Sequence, residues 1–242
     1  MKNQRLYWID PTSPPTSFPG IEAALKEPDG LLAVGGDLHS ERLLCAYERG
    51  IFPWYVEGQP ILWWSPDPRC VLIPGQFHLS RRLARDIRRS ALSTTANSAF
   101  ERVIRACAEP REHQDGTWIT KDMMDAYCRL HDEGWAHSIE VWHDDRLVGG
   151  IYGVAIDRVF FGESMFSRET NASKIAFLAL CKWGSERGIR LVDCQVESPH
   201  LLTLGATTLP RNEFATRLRE LCPSRTPMAG LPAGPVAVSN LL

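Results

Sequence analysis

An acid and an amide stand two residues apart in Leu191-Val192-Asp193-Cys194-Gln195-Val196, a run whose β-branched and apolar content reads as a strand. Strand side chains alternate between faces, so Asp193 and Gln195 point together while Val192, Cys194 and Val196 point the other way. A carboxylate and an amide aimed side by side from a central strand can bind and orient an incoming amine. The plainer alternative is that both satisfy neighbouring backbone groups. Aromatic residues give a second signal: Trp54, Trp63, Trp64, Trp118, Phe160 and Phe161 are spread over loops, turns and strand ends rather than along one helical stripe. Such rings usually pack, but Trp54 follows Phe52-Pro53 and Trp118 sits within Gly116-Thr117-Trp118-Ile119-Thr120, where loops present side chains that could stack a base or wall an apolar pocket. Third, Arg81, Arg82, Arg85, Arg88 and Arg89 fall within one arc of a helix, opposite Leu79, Leu83 and Ile87, with only Asp86 to offset them. A solvated charged face is the common outcome of this pattern; a contact with a phosphate backbone is the other.

The elements that must position these groups can be read along the chain. Ser40 is placed to cap a short helix carrying Leu43, Leu44 and Tyr47, with Gly50 stopping it. The Pro-punctuated stretch Trp63-Trp64-Ser65-Pro66-Asp67-Pro68 suggests a boundary between a small domain, 1–65, and a larger one, 66–242. Beyond it, Val71 to Ile73 reads as a strand. Phe100, Val103, Ile104 and Cys107 make an amphipathic helix with Asn97 or Ser98 as its cap, and a further helix opens at Thr120. Three strands come next, over 138–143, 146–156 and 158–165, then a helix over about 172–187 and the Asp193 strand. The Pro-, Gly- and Ala-rich tail from Pro223 reads as irregular. The fold class is α+β, with a small N-terminal domain packed on a larger domain whose sheet is mixed and mostly antiparallel.

Three strands, a helix and a strand form the core order of the acyltransferase (GNAT-like) fold, and a CoA-dependent N-acetyltransferase is the first activity to weigh. Those enzymes hold the CoA pyrophosphate on a Gly-rich turn at the helix start. Here the turn reads Ser167-Arg168-Glu169-Thr170-Asn171-Ala172-Ser173, with no glycine and with a carboxylate. Gly149, Gly150 and Gly153 lie inside a strand pattern and read as a bulge or a close backbone approach. No Walker A sequence is present. At 242 residues and 44% apolar content the chain is long enough for a large globular core. Its formal net charge of −2 advertises no nucleic-acid partner, so any anion site must be local. The seven cysteines include no Cys-x-x-Cys pair, which argues against zinc and against a disulfide framework. Neither a signal segment nor a membrane span is expected, which points to the cytoplasm and makes the sequon Asn171-Ala172-Ser173 a coincidence.

Several long blocks, in order, resemble one family from about Phe18 to about Phe214: the leucyl/phenylalanyl-tRNA:protein transferases. They are Leu31-Leu32-Ala33-Val34-Gly35-Gly36-Asp37-Leu38, Gly50-Ile51-Phe52-Pro53-Trp54, Leu62-Trp63-Trp64-Ser65-Pro66-Asp67-Pro68-Arg69, Gly116-Thr117-Trp118-Ile119-Thr120, His137-Ser138-Ile139-Glu140-Val141-Trp142, Gly149-Gly150-Ile151-Tyr152-Gly153-Val154, Gly162-Glu163-Ser164-Met165-Phe166-Ser167 and Asp193-Cys194-Gln195. Glu197-Ser198 and Leu202-Thr203 depart from the commoner family pattern. The resemblance implies transfer of Leu or Phe, and also Met, from aminoacyl-tRNA to the α-amine of an N-terminal Arg or Lys, marking the acceptor protein for degradation. It implies a monomer without cofactor or metal. On it, Gln195 hydrogen-bonds the amine, Asp193 orients and polarises that amide, Trp54 stacks the terminal adenine, and Trp118, Ile151 and Phe160 wall the pocket for the donor side chain. Glu163 sits near the amine or the basic recognition side chain, and Arg81, Arg82, Arg85, Arg88 and Arg89 meet tRNA phosphates. Phe160 and Glu163 are three apart, so a regular strand sets them on opposite faces unless Gly162 allows a bulge that reconciles them. A non-catalytic tRNA-binding protein using the arginine helix and the aromatics alone is the alternative from a different class.

Overall fold

The computed structural model describes residues 6–110 and 119–242. The chain runs through β1 (Tyr7–Ile9), β2 (Leu31–Gly35), α1 (Ser40–Glu48), β3 (Phe52–Pro53) and β4 (Leu62–Trp64). These strands form a four-stranded sheet in the order β1-β2-β4-β3, with β1 parallel to β2 and the other pairs antiparallel. Gly50 ends α1 as expected, at a φ of 74° that suits a residue without a Cβ. Ser40 is the first helical residue and not the cap; His39 takes that position without a side-chain bond.

The larger sheet begins with β5 (Arg69–Leu72). The chain continues through α2 (Arg81–Arg88), β6 (Ser93–Ala96), α3 (Phe100–Ala108), α4 (Lys121–Asp132), β7 (Ala136–His143), β8 (Arg146–Ile156), β9 (Val159–Ser167), α5 (Ala172–Glu186), β10 (Leu191–Gln195), α6 (Pro199–Thr203), β11 (Thr207–Leu209), α7 (Arg211–Leu221) and β12 (Val236–Ala237). Strand order is β11-β5-β10-β9-β8-β7-β6-β12, and only β9 with β10 is parallel. The meander β7-β8-β9, the helix α5 and the parallel return on β10 have the acyltransferase-like order, and the α+β class with a mixed, mostly antiparallel sheet holds.

Alternation along the strands sorts side chains between two cores. Phe161 joins Leu43, Tyr47, Val103, Tyr127 and Phe214 on the face covered by α1, α3, α4 and α7. Phe160 joins Leu83, Ile87, Phe177, Leu180 and Val192 on the face covered by α2 and α5. The parallel pair β9 and β10 is in register only from Leu191 opposite Val159 to Asp193 opposite Phe161. Beyond that point β9 runs on to Ser167 while β10 ends at Gln195, and a crevice opens between them that Glu163 and Cys194 line.

Caps and tail differ in part from expectation. Ser80 and Thr120 cap α2 and α4, accepting from the N–H of Leu83 and Met123. Neither Asn97 nor Ser98 caps α3; Ala99 holds that position. Asn97 instead lies at φ 57° and braces β7, its Oδ1 accepting from Ser138 N at 3.0 Å. The carboxylate of buried Glu140 sits at the α3 start, 3.4 Å from the N–H of Ser98 and of Ala99, where a negative charge offsets the helix dipole. The tail is not wholly irregular: Val236 pairs with Thr94 on β6, and Val238 and Leu241 are buried against the α2 and α5 core. The apolar residues among its prolines give it that anchor. Among the described residues no helix is long and apolar enough to cross a membrane.

The strand glycines are close approaches, as their pattern suggests. A Cβ on Gly153 would run into the Phe161 carbonyl oxygen and the Phe160 ring. Gly153→Ala is therefore expected to lower stability by about 1–3 kcal/mol, read as a lower urea midpoint, because the neighbours cannot yield without breaking the β8–β9 register.

Candidate active site

The end of β10 is held by a buried ion pair. Arg69 Nε and Nη2 donate to Asp193 Oδ1 and Oδ2 at 2.8 and 2.6 Å, a two-pronged match of guanidinium and carboxylate, and Arg69 Nη1 donates to Gly50 O at 3.1 Å. Both side chains are almost wholly shielded from water, at 1% and 0% exposure. The guanidinium is further enclosed by the rings of Phe52 and Phe214, 4.7 and 4.8 Å from their centroids.

Asp193 reaches Gln195 through the backbone. Its Oδ1 accepts the Gln195 N–H at 2.9 Å, and Gln195 takes the left-handed conformation at φ 63° where the register with β5 shifts. This corrects the expectation that Asp193 polarises the Gln195 side-chain amide. The amide Nε2 donates instead to Glu163 Oε1 at 2.8 Å. Gln195 Oε1 has no hydrogen-bond donor among the described residues. The expectation that Asp193 and Gln195 share a face is met.

Glu163 lies at the centre of this cluster. On β9 it is the extra residue of a bulge, since Gly162 pairs with Gly153 and Ser164 with Tyr152. Its carboxyl accepts from Tyr47 Oη at Oε1 and from Tyr127 Oη at Oε2, both at 2.7 Å, and the two phenol oxygens are 2.5 Å apart. Burial pushes its pKa from the ordinary 4.5 up to about 7; the bonds from Tyr47, Tyr127 and Gln195 oppose that rise, and the Asp193 charge adds to it. Burial first, and the Glu163 charge second, hold the phenols of Tyr47, Tyr127 and Tyr152 well above their ordinary value. Tyr152 Oη is buried with no hydrogen-bond partner.

The bulge does not reconcile Phe160 with Glu163. Glu163 stays on the Phe161 face, toward α1 and α4, and Phe160 stays on the α5 face, because the extra residue comes after Phe161. What joins the two faces is the crevice between β9 and β10. A cavity of about 220 Å³ opens there, lined by Ile151, Met165, Phe177, Val192, Cys194 and Leu201 with Gly162, Glu163 and Ser164. Ile151 is thus brought beside Glu163, while Phe160 lies on the same sheet face without lining the cavity.

Trp54 and the arginines stand apart from this cluster. Trp54 is 45% exposed, its ring 5.6 Å from that of Trp64, which donates its indole N–H to Trp54 O at 2.7 Å. Arg81, Arg82, Arg85, Arg88 and Arg89 lie on the outer side of α2, and Leu83 and Ile87 face the core. Trp118, with Gly116 and Thr117, lies outside the described residues.

Two family models match this chain: leucyl/phenylalanyl-tRNA protein transferase over residues 71–219, and the N-terminal domain of the same transferase over residues 36–67. The chain belongs to the leucyl/phenylalanyl-tRNA protein transferase family. A leucyl/phenylalanyl-tRNA–protein transferase of Hahella chejuensis is 55% identical over 88% of this chain and 90% of its own length. One from Stutzerimonas stutzeri is 56% identical over 84% of this chain and 89% of its own. Among solved structures, a GCN5-related N-acetyltransferase from Kribbella flavida is similar at a TM-score of 0.33 and 12% identity, over 68% of this chain and 58% of that one, too slight a likeness to argue from. The fold assignment rests on the strand order.

Within this family member, sequence reasoning missed Arg69, Tyr47 and Tyr127. Tyr47 reads as one of the apolar residues on α1, Tyr127 as one on α4, and nothing local distinguishes a tyrosine that packs from one that donates into a buried carboxyl. Arg69 offered one signal: it is a charged residue opening the apolar strand run Cys70-Val71-Leu72.

Glu163 binds its proton more tightly folded than unfolded. Its contribution to stability is therefore full below the carboxyl's ordinary range and is lost as pH rises from about 4.5 through about 7. Glu163→Gln keeps an uncharged group of the same shape and removes that loss. The stability difference, variant minus wild type, is expected to grow between pH 5 and pH 8 in urea titrations; a difference flat with pH would contradict the raised carboxyl.

Proposed function

We propose that this chain transfers a leucyl or phenylalanyl group, and also methionyl, from aminoacyl-tRNA to the α-amine of a protein that begins with Arg or Lys. The observation that carries this is the polarity of Gln195: with Nε2 committed to Glu163, its Oε1 is the atom left to accept from an amine. Family membership supplies the donor. The aminoacyl ester is already activated, so the task is orientation and proton removal, and no covalent enzyme intermediate is needed.

The amine nitrogen attacks the ester carbonyl, the C–N bond forms as the ester C–O bond breaks, and the tRNA ribose oxygen leaves with the proton that the amine gives up. Gln195 Oε1 holds the amine lone pair toward the carbonyl by accepting one N–H. Asp193 positions Gln195 by fixing its backbone, and Arg69 neutralises that carboxylate. The β9–β10 cavity, walled by Ile151, Met165, Phe177, Val192 and Leu201, is smaller than the roughly 300–1,000 Å³ that drug-sized ligands occupy and is of a size for one apolar side chain; the family resemblance implies one unbranched at Cβ. Phe160 backs that wall from within the sheet. Trp54, exposed beside Trp64, is the stacking partner for the terminal adenine, with Trp118 as a further wall of the donor pocket. Arg81, Arg82, Arg85, Arg88 and Arg89 meet the tRNA backbone, which carries affinity without sequence reading. Such a reaction belongs in the cytoplasm, where charged tRNA is, and marks acceptor proteins for degradation.

Acetyl-CoA is the poorer donor on local grounds. At the start of α5 the N–H of Ala172 is taken by Glu169 O and that of Ser173 by Ser167 Oγ, so the groups that would hold a pyrophosphate are already bonded within the turn.

The test mixes purified protein with Leu-charged tRNA and two peptides that differ only in an N-terminal Arg or Ala, and follows peptide mass. A leucine-sized gain on the Arg peptide alone is expected, absent with acetyl-CoA and reduced by about 100-fold or more in rate by Gln195→Ala. No gain on either peptide with intact charged tRNA would contradict the reading and leave a tRNA-binding role.

A further inference from the structure

The register shift that turns Gln195 out of β10 leaves a cysteine beside it. Asp193 pairs with Val71 on β5 and Gln195 with Cys70, so Cys194 is the extra residue of a bulge, and two residues of β10 oppose one of β5. Cys70 and Cys194 pack into the core on the face of Leu72 and Val192. Residues opposed across neighbouring antiparallel strands stand about 4.5–5.5 Å apart at Cα, within the span of a disulfide. Both cysteines are free thiols, and their surroundings differ: Cys70 is sealed in the core, whereas Cys194 is half-buried and lines the β9–β10 cavity. Hydrogen bonding with Cys194 lowers the Cys70 thiol, against burial, and the same contact, with burial behind it, raises Cys194. The other acceptor near Cys194 Sγ is Val192 O, at a weak 4.0 Å. Cys181, on α5, is buried in the same core; burial raises its thiol, and it meets the sheet from a helix rather than from the next strand.

We propose that Cys194 and Cys70 are a modification site: a small hydroperoxide entering the β9–β10 cavity oxidises them to a reversible disulfide, and that bond stops transfer by displacing Gln195. The consequence for transfer rests on Gln195 Oε1 holding the substrate amine. Hydrogen peroxide fits a cavity of about 220 Å³, and Cys194 is the thiol it meets there. The thiolate is the nucleophile. Once the pair has lost one proton, passing the other across the contact to Cys70 puts the negative charge on Cys194. Its Sγ attacks one peroxide oxygen, the O–O bond breaks, and the leaving hydroxide takes up the proton first lost, as water. Cys70 Sγ then attacks the sulfenic sulfur, the S–O bond breaks, and a second water leaves with the Cys70 proton. Two thiols are oxidised and one peroxide is reduced to two waters. A sulfur–sulfur bond of about 2.0 Å draws the extra residue of β10 onto β5. Gln195 is the next residue, at φ 63° with its N–H on Asp193 Oδ1, and it moves with Cys194 out of the position from which it accepts the amine.

The test treats the reduced, full-length protein with hydrogen peroxide, alkylates the remaining thiols, and maps the digested peptides by mass without reduction. A Cys70–Cys194 cross-linked peptide is expected, and dithiothreitol should abolish it. In Cys70→Ala no resolving thiol remains, so peroxide should leave Cys194 as a sulfenic acid that dimedone traps, a label that wild type does not take at Cys194. The wild-type map decides the chemistry even where the variant does not fold. Cys194 still alkylated after peroxide, or joined to Cys181, overturns the proposal. The second readout is transfer from Leu-tRNA to the Arg peptide. In wild type the rate should fall by about 10- to 100-fold on oxidation, the scale of an approximately 1 Å misplacement, and return with dithiothreitol. Reduced Cys70→Ala should transfer as reduced wild type does. A cross-linked protein that transfers at the reduced rate overturns the displacement of Gln195. A cross-link in a protein whose reduced form transfers nothing upholds the thiol pair and removes the functional reading.

Discussion

A guanidinium and a carboxylate, both shut away from water, pair on the neighbouring strands β5 and β10, and the guanidinium reaches on to Gly50 O and to the Phe52 ring of the smaller sheet. Arg69 and Asp193 lie 124 residues apart in the chain, and each alone would be a buried charge of several kcal/mol. Together, with Gly50 O and the rings of Phe52 and Phe214, they leave no formal charge uncompensated. Such a pair adds little net stability over an apolar replacement, while removing one partner costs about 3–5 kcal/mol. Its worth lies in what it positions. The same carboxylate oxygen that meets Arg69 also accepts the Gln195 N–H, and that bond helps hold a non-glycine residue at a positive φ, a conformation costing of order 1–3 kcal/mol.

The site built on this anchor belongs to neither half of the chain alone. Tyr47 comes from α1 beside the smaller sheet, Tyr127 from α4, Glu163 from the β9 bulge and Gln195 from the end of β10. One bulge serves two purposes. It turns Glu163 into the two phenols, and it lies where β9 parts from β10, so the polar cluster and the apolar cavity share one wall. A reaction that must hold a charged-tRNA ester by its apolar side chain and an amine by a polar group needs that adjacency.

Where periodicity decides structure, the sequence was legible. The alternation in Val192-Asp193-Cys194-Gln195 set the acid and amide on one face, the arginine arc on α2 faces outward, and the order of meander, helix and return strand came from the change of period near Ala172. What stayed hidden depends on partners distant in sequence. Arg69 is buried because Asp193 waits for it, Tyr47 and Tyr127 become donors because Glu163 is inserted between them, and the tail folds back because β6 has a free edge for Val236. The bulge was foreseen at Gly162, but its effect on Phe160 was not, since one extra residue changes the facing only of the residues beyond it.

In the proposed reaction Asp193 acts by fixing Gln195, and Arg69 is the charge that permits it. The direct measurement is a double-mutant cycle on kcat with Arg69→Gln, Asp193→Asn and the pair, each first shown to be folded. Each single change is expected to lower kcat and the pair to lose no more than the worse single, since both break one unit. Losses that multiply would mean that the two residues act independently, and would contradict that role for the pair.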